Sequence, residues 1–265
     1  MDVVRDLQEV IDRLSREHQE GTLKQDFCDK LQLAQQGSFS FLRTEGLQQF
    51  AQIILKGLLQ PEAVALLLVT LDQLALEALQ VLQKILQQTA VQREATISSD
   101  ADGRGVTEDE QCAALKVLEV MCLLSAGTRE LAVERGTLEF LLGKLEADVV
   151  DGTLAGACLD ALLALLADSN ANQAKFLELG GVGKVCSVLL HQHSPSCQIL
   201  CCKAINLLVT HILGPHADAA AEELERQMGK PSAELLASPI HWTQRGVMEM
   251  QLQHLATSAL AKLPT

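Results

Sequence analysis

A long internal repeat constrains the fold of this chain more than any other feature of its sequence. The apolar segment from Leu115 to Leu124 has a counterpart 44 residues later, from Leu159 to Asp168. The same offset places Gly136 on Gly180, and a helical pattern from Ile199 to Leu213 follows one repeat further on. In each copy the leucines recur at the three- to four-residue spacing of an amphipathic helix. The chain is therefore expected to stack helical units, since one unit cannot bury its apolar faces alone.

Composition supports helices and opposes strands. Hydrophobic residues make up 48% of the chain but aromatic residues only 3%, and tyrosine is absent. The apolar mass is leucine, alanine and valine, of which the first two favour helices, whereas the aromatic residues that favour strands are scarce. A helical period in the forties is typical of armadillo and HEAT repeats. We therefore predict an all-α protein, an armadillo/HEAT-like right-handed superhelix of stacked helical repeats.

Domain boundaries follow from changes in composition along the chain. Residues 1–215 are expected to form the armadillo-like domain, with a polar loop insertion near 89–110. Residues 216–265 are expected to hold an acidic helix, a linker between Pro231 and Pro239, and a C-terminal capping helix.

Within the first domain, glycines and helix length suggest where helices end. Gly21 is a plausible stop for an N-terminal amphipathic helix, and residues 24–60 are expected to form two helices around Gly37. The periodic stretch 62–88 is long for one globular helix, so a break near 71–76 is expected.

Glycines recur where two helices of a repeat should meet at a sharp angle. Such a corner needs a residue without a Cβ, because φ is positive there or because two backbones touch. Gly136 and the pair Gly180 and Gly181 occupy this place in successive repeats. They are predicted to be structural corner residues.

The turn after the second copy resembles a known family. In the segment 168–182 the matching residues are Asp168, Ser169, Asn172, Phe176, Gly180 and Gly181, while Asn170 stands where the family has proline. The segment resembles the central region of the cell-division-control protein 14 family, the septation-initiation-network component and not the phosphatase. A generic armadillo turn shares most of this pattern. The resemblance also assigns Asn172 and Phe176 to the structural turn of the repeat.

The resemblance implies a non-enzymatic protein without a cofactor. Its partner would be a germinal-centre-type protein kinase in a cytokinesis signalling cascade. It implies a cytoplasmic location, at the spindle pole, the centrosome or another cytoskeletal structure. The alternative is a generic armadillo scaffold of a cytoskeletal or ciliary assembly.

One polar face of the helix at 199–213 is the candidate partner-binding site. Lys203, Asn206 and Thr210 follow one another at spacings that bring side chains to one side of a helix. Armadillo arrays often place an asparagine of the third helix in a concave groove. We therefore expect these three residues to be exposed and to contact the partner.

The charge balance narrows the partner class. The chain carries 21 Lys and Arg against 34 Asp and Glu, a net charge of -13. Contacts to nucleic-acid phosphates require a positively charged protein surface, so nucleic acid is not an expected partner. Basic proteins are the expected partners. The acidic N-terminus lacks a signal-peptide pattern, and no apolar run approaches the length of a membrane span, so no membrane insertion is expected.

A zinc- or nucleotide-dependent enzyme is the alternative from a different functional class. A zinc site would use His191, His193, Cys197, Cys201 and Cys202. Their helical spacing among apolar neighbours favours a cysteine-rich core helix instead.

Two further patterns resemble ligand-binding loops. The run from Gly180 to Lys184 superficially resembles a phosphate loop, but Val185 stands where a hydroxyl residue is needed. A calcium loop beginning at Asp100 fails because Arg104 and Gln111 occupy two ligand positions.

Overall fold

A computed structural model describes residues 2–36, 39–88, 105–146, 152–191 and 195–237. These ranges form helices and contain no strand, which confirms the all-α class. The α-helices are α1 Asp2–Gln36, α2 Ser40–Leu58, α3 Val64–Gln87, α4 Glu108–Leu124, α5 Ala126–Glu134, α6 Thr137–Glu146, α7 Gly152–Leu166, α8 Asn170–Glu178, α9 Gly181–His191, α10 Pro195–Leu207, α11 Ala217–Met228 and α12 Lys230–Ala237. A π-helical turn, Leu208–Ile212, and a 3₁₀ turn, Gly214–His216, connect α10 to α11.

The helices recur with the period of the sequence. Helices α7, α8 and α9 each begin 44 residues after α4, α5 and α6, and α10 begins 43 residues after α7. Each group has one longer helix followed by two shorter ones. The sequence repeat is therefore a repeat of local helical structure.

The same local contact begins α5 and α8. The Ser125 hydroxyl accepts a hydrogen bond from the Thr128 amide at 2.9 Å, and the Ser169 hydroxyl accepts one from the Asn172 amide at 3.4 Å. Each serine thus satisfies one of the amides that a helix start leaves without an intrahelical partner.

The corner glycines have the backbone that their position requires. Gly136 and Gly180 have φ of +80° and +69°, in the left-handed region that side chains disfavour. At Gly181 glycine is required for a different reason: a Cβ there would overlap the ring of Phe176, which is fully buried. Their predicted structural role agrees with this geometry.

The chain divides into two compact units, residues 1–128 and 129–265. In the first unit α1 packs against α2 and α3, and α4 packs against α2 and α3. The core of this unit contains fully buried side chains, among them Phe27, Phe50, Leu71, Leu74 and Leu118.

Two helix boundaries in the first unit differ from the sequence expectation. Helix α1 continues through Gly21, where a single glycine costs roughly 1 kcal/mol relative to alanine but does not end a helix. Helix α3 is continuous from Val64 to Gln87, and the break expected near 71–76 is wrong. Its buried stripe passes through Leu71, Leu74 and Ala78 without interruption, so packing holds the helix together.

The predicted polar insertion also ends earlier than expected. Residues 89–104 lie outside the described residues, but α4 already begins at Glu108. Thr107 caps this helix: its hydroxyl accepts from the Glu110 amide while the Glu110 carboxylate accepts from the Thr107 amide. This reciprocal capping box fixes the start of α4.

In the second unit α9 packs against α6, α8, α10 and α11, and α7 packs against α6, α8 and α10. The linker predicted between Pro231 and Pro239 is wrong for residues 231–237, which belong to α12. Pro231 lies in the first turn of this helix, where a missing amide hydrogen breaks no intrahelical bond. The capping helix expected beyond residue 237 lies outside the described residues.

One helix of the described chain is long and apolar enough to cross a bilayer. This helix, α3, has 44% of its most apolar window buried inside the protein. The segments Cys197–Ile212 and Gly214–Met228 pass the same test only as a pair bent by 101°. A buried core helix passes this test of length and composition as readily as a membrane-spanning helix does. Helix α3 packs against α1 and α4.

Candidate interaction surface

The three residues predicted to bind a partner do not form one exposed face. Asn206 is buried, with 7% of its surface exposed, and its side-chain amide donates a 2.6 Å hydrogen bond to the Leu236 carbonyl. The Leu236 carbonyl lies in the last turn of α12, where carbonyls have no intrahelical partner, and this bond satisfies it. The exposure expected for Asn206 is therefore wrong, because α12 covers it.

The other two residues have different surroundings. Lys203 is exposed on α10, whereas Thr210 is half-buried and its hydroxyl donates to the Asn206 carbonyl at 2.6 Å. Leu200 and Leu207, each about one turn from Lys203, are 37% and 42% exposed. Among the described side chains of α10, the exposed ones are two leucines around one lysine, which we call the α10 stripe.

Asn172 of the family-like turn has an internal role. Its side-chain amide donates to the Leu165 carbonyl at 2.8 Å and lies 3.4 Å from the Arg129 carbonyl. Asn172 is 3% exposed, and Phe176 is fully buried in the same helix. The residues that carry the resemblance therefore stabilise the turn between α7 and α8.

The cysteines of the zinc hypothesis belong to a buried cluster of thiols. Cys197, Cys201 and Cys202 on α10 are fully buried, as is Cys186 on α9. Of the two histidines, His191 is exposed, with Nδ1 2.8 Å from the Ser187 carbonyl, and residue 193 lies outside the described residues. Among the described residues no three His, Cys, Asp or Glu side chains are grouped as a metal site would require.

Burial makes these thiols poor nucleophiles at neutral pH. It raises the pKa of Cys186 to about 12, with nearby Cys202 adding to the rise, and it raises the pKa of Cys202 itself to about 12. A hydrogen bond with Cys197, together with burial, raises the pKa of Cys201. The thiolate is the reactive form, so these side chains act as small apolar groups of the core.

Acidic side chains lie against the glycine-rich run from Gly180 to Lys184 at the start of α9. The Lys184 ammonium lies 2.8 Å from the Glu146 carboxylate. A Cβ on Gly183 would come within 3.1 Å of side-chain atoms of Glu223 and Gln227. Carboxylates at both places would repel a phosphate, so the run serves helix packing.

A buried ion pair in the first unit was missed by the sequence reasoning. Arg43 Nε and Glu110 Oε1 are 2.5 Å apart, with 7% and 0% of the two side chains exposed. Ser40 donates to the other carboxylate oxygen at 2.8 Å. The Thr107-x-x-Glu110 capping pattern, which lies within the polar insertion expected at 89–110, is the sequence signal for this helix start.

The carboxylate of this pair is stabilised in its charged form. Burial acts to raise its pKa, but hydrogen bonds from Arg43, the Thr107 amide and Ser40 outweigh burial and hold the pKa of Glu110 below its ordinary value. Arg43 also donates to the Gly105 carbonyl at 3.1 Å. The cluster therefore fastens the start of α4 to α2.

A second missed feature is a groove in the first unit, between residues 10–26 of α1 and the corner that joins α2 to α3. Its volume is about 1710 Å³. Ile53 of α2 and Leu66 and Val69 of α3 supply apolar lining, and Val69 is 50% exposed. At the corner itself Leu59 is 82% exposed. Charged side chains, among them Arg13, Glu17 and Lys56, also line the groove, so its surface is mixed in character.

No protein-family model matches the chain, and no curated protein sequence matches it at a significant level.

Proposed function

We propose that this protein is a non-enzymatic adaptor that works by protein–protein recognition on a helical-repeat surface. The observation that carries the proposal is the recurrence of one long and two short helices at the sequence period, with serine-capped turns and glycine corners. Repeated helical units stacked into a right-handed armadillo-like superhelix expose an extended surface suited to binding other proteins.

The polar clusters of the described chain support an adaptor over an enzyme. The Asn172 and Asn206 amides each bond a main-chain carbonyl, and the Arg43–Glu110 pair closes a helix start. Each cluster is thus engaged in holding helices together. The accessible side chains of the α10 stripe, by contrast, include two leucines of the kind that a protein partner covers.

The partner we propose is a protein kinase of the germinal-centre type, within septation or cytokinesis signalling. The support is the resemblance of residues 168–182 to the cell-division-control protein 14 family. The corresponding location is the cytoplasm, at the spindle pole, the centrosome or another cytoskeletal structure. The net charge of -13 favours association with a basic partner through long-range attraction.

The α10 stripe is the contact surface that we propose for this partner. It replaces the set Lys203, Asn206 and Thr210, because Asn206 is covered by α12. Leu200 and Leu207 supply exposed apolar area, and Lys203 supplies a charge between them.

The test is affinity capture from dividing cells followed by a quantitative binding assay. The parent chain is expected to recover a kinase of this type, and recovery of cytoskeletal proteins alone would favour the scaffold alternative. The double change Leu207→Asp with Lys203→Glu should weaken kinase binding by roughly 1–3 kcal/mol, in the range of interface hot spots. Lys84→Glu, at an exposed lysine of α3, is the matched control. Equal binding by the double variant would place the contact elsewhere.

A further inference from the structure

The α10 stripe occupies positions that are covered in the preceding repeat. The 44-residue period sets Leu200 of α10 in the place that Gly156 holds on α7. It likewise sets Lys203 in the place of Leu159. Gly156 and Leu159 are buried, and a Cβ on Gly156 would lie 3.0 Å from Leu200 Cδ1. Since α10 thus covers this face of α7, the equivalent face of α10 is the one that a further helix of the array would cover.

Among the described residues, this face of α10 remains partly open. Leu200 and Leu207 are 37% and 42% exposed, whereas Leu159 is 2% exposed. Helix α12 packs against α10 and covers Asn206, whose amide bonds the Leu236 carbonyl. Successive helix residues turn by about 100°, so this contact lies to one side of Leu207 and leaves the stripe itself accessible.

The chain continues from the end of α12, close to the stripe. Helix α12 ends at Ala237, and residues 238–265 follow it within the second unit. Pro239 lies 44 residues after Pro195, the first residue of α10. The sequence period therefore places the start of a further helix at Pro239, and proline is favoured at the first position of a helix.

The sequence of this C-terminal segment, residues 239–265, suits the stripe. Apolar residues recur in it at helical spacing, among them Met248, Leu252, Leu255 and Ala259. Seven residues separate Met248 from Leu255, about 10.5 Å along a helix, and the same spacing separates the two leucines of the stripe. Glu249 is the only acidic residue from 238 to 265, so it is the one carboxylate side chain that the segment can offer to Lys203.

We propose that the C-terminal segment covers the α10 stripe of its own chain, and that the partner binds by displacing it. The displacement rests on the proposed function, in which the kinase contacts this stripe. A segment joined to α12 by a short connection acts at an effective concentration of the order of millimolar, so a modest apolar contact is enough to hold it in place. The protein thus keeps its own contact surface closed until a partner competes for it.

Hydrogen exchange of the full chain tests the covering. Amides within 243–262 should be protected in the parent, because a helix packed on the stripe opens rarely. Leu200→Asp with Leu207→Asp should speed their exchange by about tenfold or more, because both apolar contacts are lost. Leu123→Asp, at a leucine of α4 that is 55% exposed, is the matched control and should leave this exchange unchanged. Unprotected amides in the parent, or equal protection in the parent and the stripe variant, would overturn the proposal.

An exchange of charges separates a contact from damage to α10. Lys203→Glu should speed the exchange of 243–262 by about threefold, because a like charge then meets Glu249. Adding Glu249→Lys should restore the parent rate, since the two side chains then attract again. Damage to α10 cannot be repaired by a change in another segment, so recovery identifies the contact. A double variant that exchanges as fast as Lys203→Glu alone would contradict the pairing of the segment with the stripe.

A binding assay with the kinase recovered by affinity capture tests the displacement. Leu252→Asp with Leu255→Asp should release the segment and leave the stripe open. If the stripe is open about a tenth of the time in the parent, this release raises the apparent affinity for the kinase about tenfold. Equal affinity of the parent and the variant would overturn the displacement. Failure to recover any kinase counts against the proposed function alone, because the exchange measurements use no partner and test the covering by themselves.

Discussion

Gly180 shows how one backbone angle determines which residues a position accepts. Its φ of +69° lies in the left-handed region, and no atom stands within 4 Å of where a Cβ would be. Space is therefore available, and only the backbone conformation limits substitution. Gly136 repeats this conformation one period earlier, with φ of +80°.

We expect Gly180→Val to destabilise the protein by roughly 1–3 kcal/mol, because a β-branched residue is strained at positive φ. Gly180→Asn should cost less, since asparagine tolerates the left-handed region. Denaturant unfolding measures both changes. Gly143→Ala, within α6 and with open space around it, is the control and should be neutral or stabilising. An unaltered midpoint for Gly180→Val would contradict the corner assignment.

The buried Arg43–Glu110 ion pair makes the stability of the protein depend on two individual side chains. Glu110→Ala should destabilise by about 3–5 kcal/mol, because it leaves the Arg43 guanidinium buried without its carboxylate. Glu119→Ala removes the carboxylate partner of Lys116, an exposed lysine on the same helix, and should cost less than about 1 kcal/mol. Similar losses for the two variants would show that burial adds nothing to the pair.

The same pair predicts a pH dependence of stability. The pKa of Glu110 is held below its value in the unfolded chain, so its stabilising contribution is fully present above about pH 4.3 and is lost as the pH falls through the folded value. The parent should therefore lose stability in acid more steeply than a variant with Arg43→Met and Glu110→Leu. Thermal unfolding at pH 7 and below pH 4 measures the difference.

At the scale of elements, periodicity predicted the helices well and their ends less well. The repeat from 115 to 189 predicted the helices now seen from α4 to α9, because apolar spacing reports which face is buried. The predicted stop at Gly21 and the predicted break in α3 are wrong. A single glycine does not by itself end a helix, and a long helix stays continuous where tertiary packing supports it. Exposure of Asn206 could not be predicted, because it depends on α12, 24 residues further along the chain.

Asn206 and α12 give a prediction about one element. Asn206→Ala removes the amide that bonds the Leu236 carbonyl and should cost roughly 1–3 kcal/mol. Hydrogen exchange should become faster across residues 230–237, because an eight-residue helix depends on tertiary contacts for its stability. Lys203→Glu, on the exposed side of α10, should leave that exchange unchanged. Unaltered protection of α12 in the Asn206 variant would show that other contacts suffice to hold it.

At the scale of the whole molecule, the eight cysteines report on the integrity of both units. Six are buried, and only Cys28 and Cys112 are partly accessible. Burial also raises the pKa of Cys28, with Glu77 contributing, so even this thiol is mostly protonated at neutral pH.

Thiol labelling of the native chain at pH 7 should therefore be slow and confined at first to Cys28 and Cys112. Unfolding in denaturant should release all eight thiols, and raising the pH should speed the reaction of the accessible two. Mass spectrometry of the labelled protein identifies the sites. Rapid native labelling of Cys201 or Cys202 would mean that α10 is far less protected than its burial indicates.

The contacts around the first turn of α4 bear on how the chain can be engineered. The Gln111 amide donates to the Gln88 carbonyl at 2.8 Å, and Arg43 donates to the Gly105 carbonyl at 3.1 Å. Gln88 and Gly105 are thus both held near the first turn of α4. A reporter domain spliced in between these two residues would therefore need its own termini close together to leave the helices on either side in register.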